Sequence, residues 1–314
     1  MSKKLHLLIV DPQNDFCIAD DGHGNKGTLV VPGADADMSR VSHLIRRLGD
    51  KIDGISTTMD SHQTIGIERP RWWIRVSDGA EVAPFTCLGI HSDGKRIVKL
   101  NLTASGPQQT EEEYTTRIAN MLHHGGSTGA GSFGYLKALA SRQRYPHIVW
   151  TEHCIVGTWG WSIVPELAST LTWWERQFMA RVDYIVKGNN PWTEHFSGVK
   201  AEVPDPKDVG TQLNTHLIGT LEEADIVMLT GEALSHCVAN TVTDIANAFA
   251  DPATIRKLVL LTDCTSNVGG FDFLGQQFAG AHTQEGAAHG RDNGSREFSD
   301  WLSHSRLQQR GRLW

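Results

Sequence analysis

Short apolar runs, each closed by a polar residue with chemistry to offer, place the strongest constraint on this chain. Leu5 to Val10 ends at Asp11, and Ile52 to Thr58 delivers Met59-Asp60-Ser61-His62. Ile148 to Trp150 leads into Thr151-Glu152-His153-Cys154, and Asp183 to Val186 ends at Lys187. Ile226 to Leu229 stops near Gly231, and Lys257 to Thr262 ends at Asp263-Cys264. Runs this short and this continuous read as strands covered on both faces, the habit of a parallel sheet. Helical patterns fall between them: Asp35 to Leu48, and a stretch from Ser235 with Val238, Val242, Ile245 and Phe249 on one face. The alternation predicts an α/β chain built on a doubly wound, Rossmann-like, mostly parallel six-stranded sheet with helices on both faces. Ligands of such sheets bind beyond the carboxyl ends of the strands. Asp11, Asp60, His62, His153, Lys187 and Cys237 all fall on that edge.

One connection breaks the rhythm. From about Arg71 to Tyr145 the chain carries hairpin-like pieces, Trp73 to Val82 and His91 to Leu100, each with Ser-Asp-Gly at its turn. A helix is expected from Thr110 to His123, with Glu111 to Glu113 in its first turn. The glycine-rich run after His124 lacks a GK[ST] ending and reads as a connector rather than a phosphate loop. Trp72, Trp73, Phe85 and Leu88 are too apolar for a free loop and are expected to pack over the pocket or against a neighbouring subunit. The reading is therefore one domain over 1–314, with an inserted subdomain at about 71–145. A tail of about 280–314 follows, with a helix near Arg296 to Gln309.

Composition excludes several classes. The 314 residues suffice for a large core, and the net charge of −7 comes with no long basic run, so no nucleic-acid or anionic-membrane surface is indicated. The five cysteines are odd in number and contain no CxxC pair, so no disulfide framework is expected. The apolar run ending at Asp11 is too short to span a membrane, and no small-residue cleavage site follows; a cytoplasmic location is the expectation.

Two constellations carry chemistry. Asp60 and His62 alternate on an extended segment and point the same way, and His153 comes from the next strand end. Two imidazoles and a carboxylate suit Zn²⁺ or Fe²⁺ and leave room for water or substrate. Glu68 is open between a further ligand and a surface carboxylate. The second constellation is Cys237 with Asp11 and Lys187. Cys237 lies where a strand hands over to a helix start, a place that favours the thiolate. A carboxylate beside it can take the thiol proton and return one to a leaving nitrogen, and a lysine can hold the negative charge. Singly, each residue has an ordinary structural duty as a core cysteine, a turn aspartate or a solvated lysine.

Together the motifs resemble a known family. Ile9-Val-Asp11-Pro-Gln-Asn-Asp-Phe-Cys, Val31-Pro-Gly-Ala, Asp60-Ser-His62, Trp150-Thr-Glu-His153-Cys, Val186-Lys187-Gly, Phe196-Ser-Gly and Gly231-Glu-Ala-Leu-Ser-His-Cys237-Val are similar to the nicotinamidase branch of the isochorismatase-like cysteine hydrolases. The resemblance implies Asp11, Lys187 and Cys237 as a catalytic triad and a metal on Asp60, His62 and His153. It implies oxyanion donors from the backbone of Ala233 and Cys237, with a cis peptide before Ala233. It also implies a small aromatic pocket lined by Phe16, Trp150, Phe196 and His236. The implied reaction is hydrolysis of nicotinamide to nicotinate and ammonia through a thioester. The alternatives are another small amide, or a catalytically silent binding protein of the same fold. The implied cofactor is a divalent metal, zinc first, with iron(II) or manganese(II) as the other choices. The implied partners are a small-molecule amide and further copies of the chain.

Overall fold

The computed structural model describes residues 3–103, 106–142, 145–249 and 252–282. The expected tail helix at Arg296 to Gln309 lies outside them. In chain order the elements are β1 (Leu5–Val10), α1 (Asn14–Cys17), α2 (Ala34–Leu48), β2 (Gly54–Asp60), β3 (Trp73–Arg75), β4 (Thr86–Ile90), β5 (Ile97–Thr103) and β6 (Gly106–Thr116). There follow α3 (Asn120–His123), α4 (Gly131–Arg142), β7 (His147–Val149), α5 (Pro165–Phe178), β8 (Val182–Lys187), α6 (Thr215–Glu223) and β9 (Ile226–Gly231). A π-helical turn at Leu234–Val238 leads into α7 (Ala239–Ala248), then α8 (Pro252–Ile255), β10 (Leu258–Leu260) and α9 (Asp272–His282).

The strands form two sheets. The first is parallel, in the order β10-β9-β1-β2-β8. Every residue of β1 and of β9 is buried, as continuous apolar runs require when helices cover both faces. Leu7, Leu8, Ile9 and Val10 are fully inaccessible, each stabilising the fold by roughly 1.5–3 kcal/mol relative to exposure. Helix α2 packs Met38, Val41, Ile45 and Leu48 inward and keeps Asp35 in its first turn. Gly33 caps it in the left-handed region at φ 97°, a conformation that suits glycine.

The parallel sheet has five strands rather than the expected six. The run at 148–150 belongs elsewhere: β7 pairs antiparallel with β4, Thr86 opposite Val149, at the edge of a second, antiparallel sheet in the order β3-β6-β5-β4-β7. Three apolar residues say that a strand is buried but not which neighbour it takes. The expected helix over 110–123 is also corrected. Thr110 to Thr116 continue β6, paired with β5 and β3, and only Asn120–His123 is helical. Tertiary pairing overrides local helix preference there. Helix α4, which starts in the glycine-rich run, carries Tyr135, Leu136 and Leu139 into a second apolar core with Trp72, Trp73 and Leu88. Those tryptophans and Leu88 therefore bury against each other, and only Phe85 reaches the pocket wall, against Trp150 at 5.9 Å. No helix among the described residues is long and apolar enough to cross a membrane.

Candidate active site

Register puts the reactive residues side by side. Asp60 pairs directly with Lys187 across β2 and β8, and Val10 pairs with Gly231 across β1 and β9. Asp11 and Glu232 therefore leave the sheet at the same edge. Gly231 sits at φ 112°, and a Cβ there would run into the Val10 backbone, so glycine is needed for the close approach. The peptide between Glu232 and Ala233 is cis. Asp11 adopts φ 45°, and Thr58 fixes it twice: its hydroxyl accepts the Asp11 N–H at 3.0 Å and donates to Oδ1 at 2.6 Å.

Lys187 is the hub. Its Nζ lies 2.9 Å from Asp11 Oδ2 and 2.9 Å from Asp60 Oδ1, donates to the His195 carbonyl at 3.0 Å, and stands 3.8 Å from Cys237 Sγ. Burial would lower its pKa, but Asp11, Asp60 and Cys237 outweigh that and hold the ammonium charged. Burial pushes Asp11 up, against Lys187, so this carboxylate is a better base than one in water. Burial likewise pushes the Cys237 thiol up, with Lys187 opposing. Cys237 sits buried within a tight π turn.

The second cluster shares Asp60. Its Oδ2 lies 2.9 Å from His62 Nε2 and 3.2 Å from His153 Nε2, and the three ligand atoms fall within 4.8 Å of one another. The outer partners fit metal-bound histidines. His62 Nδ1 faces Glu68 Oε1 at 3.2 Å, and His153 Nδ1 lies 2.9 Å from the Thr151 carbonyl and 3.1 Å from Arg69 Nη1, so both rings are held from behind. Burial, helped by Arg69, lowers His153 to about 4 and keeps it neutral, the form that binds metal. For His62 burial is outweighed by Asp60, which lifts it to about 9. A buried carboxylate with two imidazoles fits a divalent cation of the zinc or iron(II) kind and leaves coordination positions open. Glu68 is neither a surface carboxylate nor a direct member of the group. It is buried, pairs with the equally buried Arg69 at 3.1 Å, and braces His62.

A cavity joins the two clusters. Phe16, Trp150, Phe196 and His236 line it as expected, together with Asp60, His153, Lys187, Ala233 and Cys237. Trp150 meets His236 edge-on at 5.1 Å, and Tyr145 stacks on His236 at 5.3 Å while its hydroxyl donates to the Ser235 carbonyl. Burial lowers His236 to about 3, so its ring is neutral. Sequence reasoning missed Glu194 and His195, which also line the cavity. The signal was present as two ionisable residues between the aromatic Trp192 and Phe196, just after Lys187.

No family profile and no curated protein matches the sequence. Solved structures do match the fold. The yeast nicotinamidase Pnc1p superposes with a TM-score of 0.53 at 16% identity, over 88% of this chain and 94% of that one. Its complex with the inhibitor nicotinaldehyde gives 0.54 at the same identity and coverage. A looser likeness, TM-score 0.44 at 17% identity over 88% of this chain and 93% of that one, is to the pyrazinamidase of Pyrococcus horikoshii, solved in complex with zinc.

Proposed function

From a fold that this chain shares with the nicotinamidases, we propose that it is a cysteine amidohydrolase of small ring amides, with nicotinamide to nicotinate and ammonia as the leading reaction. One observation carries the reading: Cys237, Asp11 and Lys187 meet in a buried cluster that opens onto an aromatic cavity shared with Asp60 and His153. Nothing in folding demands that these residues meet.

In the proposed sequence Asp11 takes the proton of Cys237 as the thiolate attacks the amide carbon. The backbone N–H groups of Ala233 and Cys237 hold the oxyanion, where fixed donors in a dry site are worth most. Asp11 returns the proton to the nitrogen, ammonia leaves, and the thioester remains on Cys237. Water, deprotonated by Asp11, then releases the acid and restores the thiol. Lys187 stays charged throughout and offsets the negative charge that passes between Asp11 and Cys237. Asp60, His62 and His153 would hold a divalent metal, which supplies a Lewis-acid anchor for a ring nitrogen or a water. The chain is read as a single hydrolase domain over 1–314, in which the segment from about 71 to 145 is an insertion.

The test is ammonia release by purified protein from a panel of small ring amides, before and after chelation. Release that ceases on chelation and returns with added metal supports the reading. Failure to release ammonia from any amide, metal-loaded, sinks it.

A further inference from the structure

Glu232 is a fully buried carboxyl that the proposed reaction does not use, one residue before Ala233. Taking a carboxyl out of water is costly unless its hydrogen bonds are replaced. The bond that replaces them here joins two segments: Oε2 accepts the Ser266 N–H at 3.1 Å. The Ser266 carbonyl in turn accepts the Leu234 N–H at 2.8 Å, so Ser266 is bonded on both sides of Ala233. Its Oγ donates to Asp37 Oδ2 at 2.6 Å, and Asp37, buried on α2, is paired with Arg40. Two residues on, the Val268 N–H donates to Ser235 Oγ at 3.1 Å, and Val268 lines the cavity. The segment 264–268 is therefore a strap, tied to α2 and laid along the loop 231–235. Burial, with Asp37 adding to it, pushes the Glu232 carboxyl well up and favours the neutral acid.

The two peptide groups of Ala233 are held differently. Its carbonyl accepts the His236 N–H at 3.0 Å and the Val238 N–H at 3.1 Å, so the π turn fixes that side by itself. Its N–H belongs to the peptide it shares with Glu232. The Glu232 N–H donates to the Val10 carbonyl at 2.8 Å, and the Glu232 carboxyl holds Ser266. An oxyanion donor works best when it is aimed before charge develops, and a misplacement of about 1 Å costs roughly a hundredfold in rate. We propose that Glu232 is a positioning residue for the reaction: bonded to the strap at Ser266, it aims the Ala233 N–H at the oxyanion. The inference rests on the amidohydrolase reading and assigns a further residue to it.

Ammonia release is measured with the metal-loaded unaltered protein, Glu232→Leu, Glu232→Gln and Ser266→Ala, using nicotinamide or, where that is not turned over, the fastest amide of the panel. Inhibition is measured with the aldehyde of the same ring, pyridine-3-carbaldehyde for nicotinamide. Its carbonyl adds the Cys237 thiol, S–H across C=O, and places its oxygen where the oxyanion forms. Circular dichroism checks the fold of each variant. Glu232→Leu fills the space without an acceptor and should lower kcat by about 10–100-fold with KM within about threefold. Aldehyde affinity should fall by the same factor as kcat/KM, since both report binding of the tetrahedral oxygen. Glu232→Gln keeps a neutral acceptor and should recover most of the loss. Ser266→Ala frees the strap from Asp37 and should show the same pattern at about three- to tenfold; it decides the matter if Glu232→Leu does not fold. Undiminished kcat in the folded variants, or a loss in kcat without a matching loss in aldehyde affinity, overturns the inference and leaves Glu232 a role in stability alone. The amidohydrolase reading stands in that case, because the unaltered protein still turns over. An unaltered protein that releases no ammonia from any amide sinks both.

Discussion

The two sheets of this molecule are built to different rules. In the parallel sheet β1 and β9 are buried along their whole length, and Asp60 and Lys187 lie in direct register at its carboxyl edge. In the antiparallel sheet β6 alternates between exposed and half-buried along most of its length, and β5 is covered only at its start. The groups that meet Cys237 come from the twice-covered sheet, where backbone positions are held most tightly. The once-covered sheet contributes part of the cavity wall. Through β7 it leads into Trp150 and His153, and through Trp72 and Tyr135 it holds the loop of Glu194. The cavity thus lies where the two layers meet.

Substitutions test that division. The largest effect is expected for Cys237→Ala: loss of hydrolysis by several orders of magnitude, with the circular dichroism spectrum and metal content unchanged. Substantial residual turnover would remove Cys237 from the role of nucleophile. Next is the metal group. His62→Ala should abolish the roughly one divalent ion per chain expected by elemental analysis, and Glu68→Gln should weaken metal affinity by about 10–100-fold through loss of the brace on His62. A Glu68→Gln protein with undiminished affinity would show that the contact at 3.2 Å does nothing for the site.

The next comparison concerns stability. Leu8→Ala, in the middle of β1, should cost about 2–5 kcal/mol in urea unfolding, because it opens a cavity in a strand covered on both sides. Lys99→Ala, on the half-exposed β5, should stay within about 0.5 kcal/mol. Similar losses at the two positions would erase the contrast between the sheets.

Acid stability gives a further comparison, to which each sheet contributes one residue. His6 on β1 bonds Ser56 Oγ at 2.9 Å and His147 on β7 bonds the Ile67 carbonyl at 2.9 Å. Burial lowers both to about 4, from an ordinary value of 6.5. The unfolded chain takes up these protons between pH 6.5 and 4 and the folded chain does not, so stability is full above 6.5 and falls as pH drops toward 4. Each histidine contributes up to about 3 kcal/mol of that loss. The urea midpoint should therefore fall between pH 7 and 4.5, and less steeply in His6→Gln or His147→Gln. A midpoint that does not move over that range would contradict the neutral, buried state of both rings.

All five strands of the parallel sheet, helix α2, and the positions of Asp11, Asp60, His62, His153, Lys187 and Cys237 at strand ends were legible in the sequence. A continuous apolar run of five or six residues has few other ways to be buried, and the residue that closes it must emerge at a sheet edge. Where the run shrinks to three residues, as at 147–149, the sequence still marks burial but carries nothing about the neighbour's direction, so β7 was assigned to the wrong sheet. The acidic start of Glu111 to Glu113 matches a helix as well as a strand, and only pairing with β5 and β3 decides for β6. The burial of Cys237 beside Lys187, the brace of Glu68 on His62 and the entry of Glu194 into the cavity were likewise decided only in three dimensions. Each depends on which groups from distant segments exclude water around it, and burial, unlike periodicity, is not a property of the local sequence.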